Sequence, residues 1–303
     1  MGRAVLEYES GVIESALAHG SRALVSGVSF SVRAGETLSV IGETGSGKTM
    51  VALSIMGLLP ENVRMRGGRV ALGGRELTPG RELRRRLGVD IVYIPQNGHE
   101  FLDPSRRVRR QLYDALRKLG VPRGELASDA EEKMRLSGFQ QPRELLDKYP
   151  FQLSGGEAQR VTIAISACSR AQLVIADEPT NGLSEGDKTG FVDLVSSLFP
   201  RSARLLITHD MEVAALGDEM LVLCGGRMME RGRAGELLSH PRAPYTRALL
   251  AALVRNGMEE TPVLRRGGAE CPFYRRCRHG DACRGDMPRR SEHGREWWCG
   301  GEL

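Results

Sequence analysis

A glycine-rich stretch, GETGSGKT at 42–49, carries the residue types that bind phosphate groups. It follows the β-prone run LSVI and precedes the apolar, helix-like run MVALSIMGLL. Its glycines allow backbone N–H groups to form a cup, its lysine would contact the β- and γ-phosphates, and its threonine would offer a hydroxyl to Mg²⁺. We therefore predict a nucleotide phosphate site made of Gly42, Glu43, Thr44, Gly45, Ser46, Gly47, Lys48, Thr49 and Met50.

Two further apolar runs end in polar residues that could complete such a site. LVIADEP at 173–179 ends in two acids, and RLLITHD at 204–210 ends in a histidine and an acid. Asp177, at the end of a strand beside a phosphate loop, is placed to hold Mg²⁺ directly or through water. Glu178 follows at the strand's end, where we expect the chain to turn, and is the candidate for polarising an attacking water. His209 falls at the sheet edge where α/β proteins bind ligands.

The composition bounds the class of protein. The 303 residues suffice for one large domain with additions or for two domains, and 41% hydrophobic and 27% charged residues are ordinary for a globular chain. No apolar run approaches the roughly 20 residues that cross a bilayer, and MGRAVLEYES lacks the apolar core of a signal peptide. We expect a cytosolic chain in which thiols stay reduced. The net charge of +5 and the arginine-rich last forty residues indicate a solvated tail, with nucleic acid or acidic lipid as alternative partners.

Two more motifs give the pattern its specificity. YIPQ occupies 93–96 and YPFQLSGGEAQR occupies 149–160. In this order, the five elements resemble those of ABC transporter ATP-binding subunits. The resemblance assigns Walker A to 42–49, the Q-loop glutamine to Gln96, the signature LSGGE to 153–157, Walker B to 173–178 and the switch histidine to His209.

The resemblance implies an α/β fold, with a P-loop NTPase (RecA-like) ABC ATPase core at 1–235. It also implies a helical subdomain at about 97–152, where Val108, Leu112, Leu116 and Leu119 have the spacing of a core stripe. A small C-terminal extension that bears cysteines would follow at 236–303.

The implied reaction is ATP hydrolysis at a dimer interface. Ser154, Gly155 and Gly156 precede the helical run EAQRVTIAISAC and can offer N–H groups to a phosphate. The resemblance implies that they face the nucleotide of a second ABC ATPase subunit. It gives Mg²⁺ to Thr49, Gln96 and Asp177, and it makes the catalytic set Glu178, His209, Gln96 and Lys48.

A finer likeness concerns the cargo. HPRAPYTRALLAAL at 240–253 and FLDPSRRVRRQL after the Q-loop resemble the oligopeptide/dipeptide importers, and nickel and metallophore importers are close relatives. The implied partners are two membrane permease subunits and a solute-binding protein, with the chain at the cytoplasmic face of the membrane and no nucleic acid. Export is not excluded by the motifs.

The alternative is a non-translocating ABC ATPase that acts on nucleic acid or ribosomes. Phe273, Tyr274, Trp297 and Trp298 lie among arginines and could stack on bases. Such proteins commonly carry two ATPase domains, whereas this chain has one set of motifs. A small-molecule kinase would leave LSGGEAQR unexplained.

Four of the six cysteines lie in the tail. Their spacing matches neither common zinc pairs nor the ferredoxin run, and disulfides are disfavoured in the cytosol, so the residues alone leave reduced surface thiols as an alternative to metal ligands. The resemblance supplies a four-cysteine pattern that implies a [4Fe-4S] cluster, with zinc as the alternative, at Cys271, Cys277, Cys283 and Cys299. We expect this group to be architectural and remote from the ATP chemistry. Cys168 and Cys224 lie in apolar runs and are expected to be inert core residues.

The sequence departs from the family in two places. TNGLSEGDK has Gly182 and Ser184 where the family has alanine and aspartate, so we hypothesise a heterodimer with unequal ATP sites. For adenine, the family commonly uses an aromatic residue, and the candidates are Tyr8 and His19. Tyr8 is expected simply to pack in the first strand, which leaves the adenine-stacking residue open.

Overall fold

The computed structural model of the protein describes residues 3–181, 185–253, 256, 270–277 and 287–299. The chain forms two compact units. The first contains the segments up to Leu6, Val32–Gly35 and Ala71–Leu205, and the second contains Glu7–Ser31, Glu36–Val70 and the chain from Leu206 onward. Within the described ranges, no helix is long and apolar enough to cross a membrane.

Strands and helices alternate along much of the chain. The strands are β1 (Ala4–Ala16), β2 (Ser21–Arg33), β3 (Thr37–Ile41), β4 (Val63–Leu72), β5 (Arg75–Glu76), β6 (Ile91–Ile94), β7 (Leu173–Asp177), β8 (Ala203–Ile207), β9 (Glu219–Cys224), β10 (Arg227–Arg233), β11 (Arg289–Glu292) and β12 (Arg295–Trp298). The helices are α1 (Lys48–Met56), α2 (Arg81–Arg86), α3 (Gly98–Phe101), α4 (Val108–Lys118), α5 (Leu126–Leu136), α6 (Pro142–Leu146), α7 (Gly155–Ala167), α8 (Glu185–Leu198), α9 (Met211–Ala214), α10 (Ala234–Ser239) and α11 (Pro244–Ala251). Short 3-10 helices occur at Pro150–Gln152 and Tyr274–Arg276.

The three strands predicted to precede site residues are confirmed as β3, β7 and β8, and every residue in them is buried. Such continuous apolar runs are typical of strands covered on both faces. In the first unit β6 and β7 pair in parallel, and in the second unit β3 and β9 pair in parallel. The helix predicted after the phosphate loop is confirmed as α1.

The helical part of the first unit has a hydrophobic core of its own. Val108, Leu112 and Leu116 lie on one face of α4 and are at most 1% exposed, as the predicted stripe requires. They join a cluster that also contains Ala158 and Cys168, at the two ends of α7. Leu119 follows the end of α4 and is half-buried. The limits of the helical subdomain, 97–152, stay a prediction.

The C-terminal strands extend the sheet of the second unit, in the order β11, β12, β10, β9, β3. β12 pairs antiparallel with β10, which places Trp297 opposite Glu230. One hydrophobic cluster contains Ile41 of β3 together with Tyr245, Phe273 and Trp297. Residues on both sides of the boundary predicted at 235 therefore share a core, and that boundary remains a prediction.

Tyr8 lies in the core of the second unit. Its ring stacks on Phe30 with centroids 5.0 Å apart, and its hydroxyl is 3.1 Å from the Ser54 hydroxyl. Burial raises the pKa of Tyr8. Its expected role as a packing residue of the first strand is confirmed, whereas His19 is exposed between β1 and β2.

Candidate functional site

The phosphate loop in the second unit has a backbone that requires glycine. Gly47, the residue before α1, has a φ of 98°, and Gly45 has a φ of 81°. A Cβ at Gly42 would lie 2.2 Å from the carbonyl oxygen of Leu223. No side-chain hydrogen bond caps α1, and the N–H groups at the N-terminus of a helix can bind an anion.

Lys48 closes the loop. Its side chain is buried, and Nζ donates to the carbonyl oxygens of Gly42 at 2.7 Å and Glu43 at 3.1 Å. A buried ammonium needs such acceptors. Phosphate oxygens could replace these carbonyls, so the lysine lies where its predicted role requires a cation.

Ser46 supplies a direct sign that the loop fits a phosphate. Its Oγ is buried and has no hydrogen-bond partner among the described residues. Leaving a buried hydroxyl unpaired costs about 1–3 kcal/mol, and a phosphate oxygen would satisfy it. Thr49 is exposed on the first turn of α1, and its hydroxyl is a hard oxygen donor of the kind that Mg²⁺ prefers.

Asp177 provides a second hard oxygen donor, in the first unit. It is the last residue of β7 and is 5% exposed. The Tyr93 hydroxyl donates to its Oδ2 at 3.3 Å. Burial and then the Asp177 charge raise the pKa of Tyr93, so this phenol remains a donor. Tyr93 belongs to the YIPQ motif, but its contact with Asp177 was not predicted.

Glu178 lies where the chain leaves β7. Its φ of 47° is positive, which costs a residue other than glycine on the order of 1–3 kcal/mol. Such backbone strain clusters at functional sites, and it marks the turn that the sequence placed between the two acids. His209 follows β8 in the second unit and is exposed. The preceding Thr208 is buried and its N–H donates to the Val40 carbonyl, which fixes the start of this loop.

The structure brings the Q-loop and the signature of the first unit to one cavity of about 540 Å³. Gln96 lies two residues after β6, whereas Gly155 and Gly156 begin the first turn of α7. A Cβ at either glycine would meet nothing within 4 Å, so this end of the helix is open. The cavity is lined by Gln96, Asn97, Gly98, Glu100, Gly155, Gly156, Gln159, Pro179 and Asn181.

Helix α7 begins at Gly155, two residues before its predicted start, with Ser154 as its cap. The Ser154 hydroxyl accepts from the Glu157 N–H at 3.2 Å, and the Glu157 carboxylate accepts from the Ser154 N–H at 2.7 Å. The backbone hydrogen bond from Ser154 lowers the pKa of Glu157. This capping box fixes the helix end and engages the Ser154 side chain.

Gln159 and Gly98 were not predicted as site residues, yet they join its parts. The Gln159 side-chain amide donates to the carbonyls of Pro95 at 2.8 Å and Pro179 at 3.3 Å. It thus connects the signature helix to the Q-loop and to the turn after Walker B. A Cβ at Gly98 would lie 2.6 Å from the Ala158 carbonyl carbon, so α3 and α7 need glycine here.

Cys168 and Cys224 are buried, and burial raises the pKa of each thiol to about 12, which agrees with their expected inertness. Cys271, Cys277 and Cys299 border the hydrophobic cluster of the second unit or belong to it. No group of three or more histidine, cysteine or acidic residues in the described ranges could hold a metal. Cys283, the remaining predicted ligand, lies outside those ranges. The same holds for Gly182 and Ser184, the two positions that depart from the family pattern in the D-loop, the segment after Walker B.

Arg276 of the tail makes an ion pair with Glu43 of the phosphate loop. The expected remoteness of a metal group at the tail cysteines from the ATP chemistry stays a prediction.

The ABC transporter family model matches residues 25–181, and the model of the oligopeptide/dipeptide transporter C-terminal region matches 229–283. Among curated relatives, the oligopeptide transport ATP-binding protein OppD of Salmonella typhimurium is 36% identical over an alignment of 275 positions, which covers 86% of this chain and 82% of the relative. The dipeptide transport ATP-binding protein DppD of Bacillus subtilis is 34% identical over 85% of this chain and 82% of its own. The metal-staphylopine import system ATP-binding protein CntD of Staphylococcus aureus is 34% identical over 75% and 86%.

The fold also resembles that of solved ABC transporter structures. The dimeric structure of MJ0796, a bacterial ABC transporter cassette, superposes with a TM-score of 0.67 at 21% identity and covers 76% of this chain and 98% of that one. The predicted α/β ABC ATPase fold is thereby confirmed, and no match favours the nucleic-acid alternative. The chain belongs to the ABC transporter family, as an ATP-hydrolysing subunit of the oligopeptide and dipeptide transporter group.

Proposed function

We propose that the chain hydrolyses ATP with the residues assigned from its sequence. Lys48 neutralises charge on the β- and γ-phosphates, and Thr49, Gln96 and Asp177 would supply oxygen ligands to Mg²⁺. Mg²⁺, when bound, neutralises charge on the phosphates. Glu178 polarises the attacking water, and His209 contacts the γ-phosphate. The unpaired Ser46 hydroxyl and the uncapped α1 support this assignment.

The signature residues serve the nucleotide of a second ATPase subunit. The open first turn of α7 supports this proposal, because Gly155 and Gly156 line a cavity of about 540 Å³ that Gln96 also lines. A nucleotide held by the partner's phosphate loop would place its γ-phosphate at this helix end. Closing and reopening of the dimer would couple hydrolysis to partner proteins.

The cargo is a dipeptide, an oligopeptide or a related small solute such as a metallophore. The observation that carries this proposal is the joining, in one chain, of the ABC transporter motifs to the oligopeptide/dipeptide transporter C-terminal region. The partners are two permease subunits and a solute-binding protein, and the chain acts at the cytoplasmic face of the membrane. The names of the relatives support peptides first and metallophores second.

Uptake by the assembled transporter in vesicles tests this proposal. Labelled dipeptides, oligopeptides and nickel chelates would be offered with ATP, using the unmodified chain, Lys48→Ala and Glu178→Gln. Glu236→Gln, which removes an exposed acid on α10, is the matched control. Peptide uptake that is lost in both site variants and kept in the control supports the proposal. Unchanged uptake in the site variants, or no uptake of any of these solutes, refutes it.

The second ATPase subunit is proposed to be a different chain, because Ser184 lacks the carboxylate usual in the D-loop. Replacing Ser184 by aspartate and measuring ATPase of the assembled complex tests this. No change in the rate or in the asymmetry of the two ATP sites would contradict the heterodimer hypothesis.

The tail cysteines are proposed to hold a [4Fe-4S] cluster or zinc. The position of three of them beside one hydrophobic cluster supports a structural role for that segment, although these three do not by themselves form a metal-holding group. Anaerobic purification followed by iron, sulfide and zinc analysis is the test. Cys277→Ser should lose the metal and Cys168→Ser should keep it. A folded chain that carries neither metal would end the proposal.

A further inference from the structure

The C-terminal segment 270–277 contacts the phosphate loop through one ion pair. The Arg276 Nη1 donates to Glu43 Oε1 at 2.8 Å, and Nη2 donates to Oε2 at 2.8 Å. Two parallel bonds of this kind fix the orientation of both groups and are stronger than a single charged contact. Glu43 is the second residue of the phosphate loop, so the pair joins the tail to the element that cradles phosphate.

Arg276 is held in place by its own segment. Its N–H donates to the Phe273 carbonyl at 2.9 Å within the short 3-10 helix, and its guanidinium lies 5.4 Å from the centroid of the Phe273 ring. Phe273 is 3% exposed. A Cβ at Gly225 would lie 2.7 Å from Pro272, so the segment packs closely on the turn between β9 and β10. Arg276 is therefore carried by a segment that is itself closely packed.

A second contact reaches the same loop residue. The N–H of Glu43 donates to the Tyr245 hydroxyl at 3.2 Å. The Tyr245 ring, 1% exposed, meets the Phe273 ring edge-on with centroids 5.2 Å apart. The backbone and the side chain of Glu43 are thus both bound by residues of the C-terminal region.

The charge of Glu43 matters because of its position. Lys48 Nζ donates to the carbonyl oxygen of Glu43, so the Glu43 carboxylate lies within roughly one Debye length of the lysine that would contact the phosphates. An uncompensated carboxylate at that distance repels a polyphosphate. With Arg276 bound, the pair carries no net charge.

We propose that Arg276 is a positioning residue for the nucleotide site, which neutralises Glu43 and fixes the phosphate loop from the C-terminal segment. Arg276 does not touch the nucleotide in this role. The affinity for ATP and ADP therefore depends on a residue that lies 233 positions from Glu43 in the chain.

A double-mutant cycle on the full chain tests the proposal. The variants are Arg276→Gln, Glu43→Gln and the two together, with Arg275→Gln as the control because it removes the same charge from the same short helix. The dissociation constants of ADP and of a non-hydrolysable ATP analogue are measured by fluorescence at about 0.05 M and about 0.5 M salt. Thermal unfolding of each variant is recorded without nucleotide.

Arg276→Gln should weaken binding of both nucleotides roughly three- to tenfold at low salt and less at high salt, because one uncompensated charge acts at about a Debye length. Glu43→Gln should tighten binding, and the double variant should return to within about twofold of the unmodified chain, since the net charge of the pair is again zero. Arg275→Gln should change the constants by less than about twofold.

Three results would overturn the proposal. The first is unchanged affinity in Arg276→Gln. The second is equal weakening in both single variants together with a lower unfolding temperature, which indicates a structural role alone. The third is an Arg275→Gln effect as large as that of Arg276→Gln, which indicates a general charge effect.

Discussion

Replacing Ser46 by alanine should stabilise the nucleotide-free protein and weaken nucleotide binding at the same time. The Ser46 hydroxyl is 3% exposed at the residue level, and its oxygen has no hydrogen-bond partner among the described residues. Most substitutions at a binding loop either damage both properties or neither. Opposite signs would therefore identify a polar group that is kept for its ligand.

The magnitudes follow from the burial of this oxygen. An unpaired buried hydroxyl costs about 1–3 kcal/mol, so its removal should raise the free energy of unfolding by on the order of 1 kcal/mol once lost packing is subtracted. For a chain of this size that is an increase of about 2 °C in the apparent unfolding temperature. A hydrogen bond to a charged phosphate contributes about 1.5–3 kcal/mol, so the dissociation constant of ADP should increase roughly tenfold or more.

The assay is thermal unfolding of the Ser46→Ala chain across a titration with MgADP. Ligand that binds the folded state raises the unfolding temperature according to its concentration relative to its dissociation constant. The nucleotide-free temperature gives the first effect, and the concentration dependence gives the second. Direct titration with a fluorescent ADP analogue checks the binding constant independently.

Ser39→Ala is the matched control. Its hydroxyl is also buried without a partner in the described part of the chain, but it lies within β3, outside the phosphate loop. It should raise the unfolding temperature and leave nucleotide affinity unchanged. The reasoning is refuted if Ser46→Ala lowers the stability of the free protein, or if its affinity for ADP equals that of Ser39→Ala.

Three other predictions follow from buried groups and close contacts. In urea unfolding, Glu230→Ala should lower the free energy of unfolding by about 3–5 kcal/mol, because it leaves buried Arg295 without its carboxylate and two backbone donors unpaired. Glu9→Ala, from the exposed Arg69–Glu9 pair, should lower it by under about 1 kcal/mol. Gly98→Ala should lower the free energy of unfolding by about 1–3 kcal/mol and should also lower the ATPase rate of the assembled complex. In the control Gly190→Ala the new Cβ meets no atom within 4 Å, so the free energy of unfolding should increase by about 0.5–1 kcal/mol. Equal effects of the two substitutions would contradict the close α3–α7 contact. In the folded chain the Cys168 thiol has a pKa of about 12, against 9.0 for an ordinary thiol, so between these pH values only the unfolded state loses this proton. The free energy of unfolding should therefore decrease as pH rises above about 9. Cys168→Ala should remove the contribution of this thiol to that pH dependence.

The sequence predicted the parts of the site that follow from local patterns. The strand before each functional residue and the helix after the phosphate loop were readable because buried strands and glycine-rich turns have short, continuous signatures. Glu178 was correctly placed at a turn, since polar residues after an apolar run mark the end of a strand. The core role of Tyr8 was also readable from its place in a β-prone run.

Contacts between distant segments were not readable. Gln159 joins two proline carbonyls, and Gly98 contacts α7, but neither relation has a sequence spacing that predicts it. The Arg276–Glu43 pair was not predicted for the same reason, because the tail has many arginines and the sequence does not show which of them pairs with which acidic residue. The composition indicated a solvated basic tail, whereas in the structure the guanidinium of one of those arginines, Arg276, packs on the buried Phe273 ring.

The pairing of β12 with β10 also bears on how the protein can be shortened. β12 covers the hydrogen-bonding edge of β10, and Arg295 of β12 provides the cation for Glu230, which is 0% exposed. A chain truncated before residue 270 would present an open strand edge beside a buried, uncompensated carboxylate. Such an edge pairs readily with other chains, so truncation should yield aggregates where the full chain stays dispersed. The last strands thus protect the ATPase sheet from self-association.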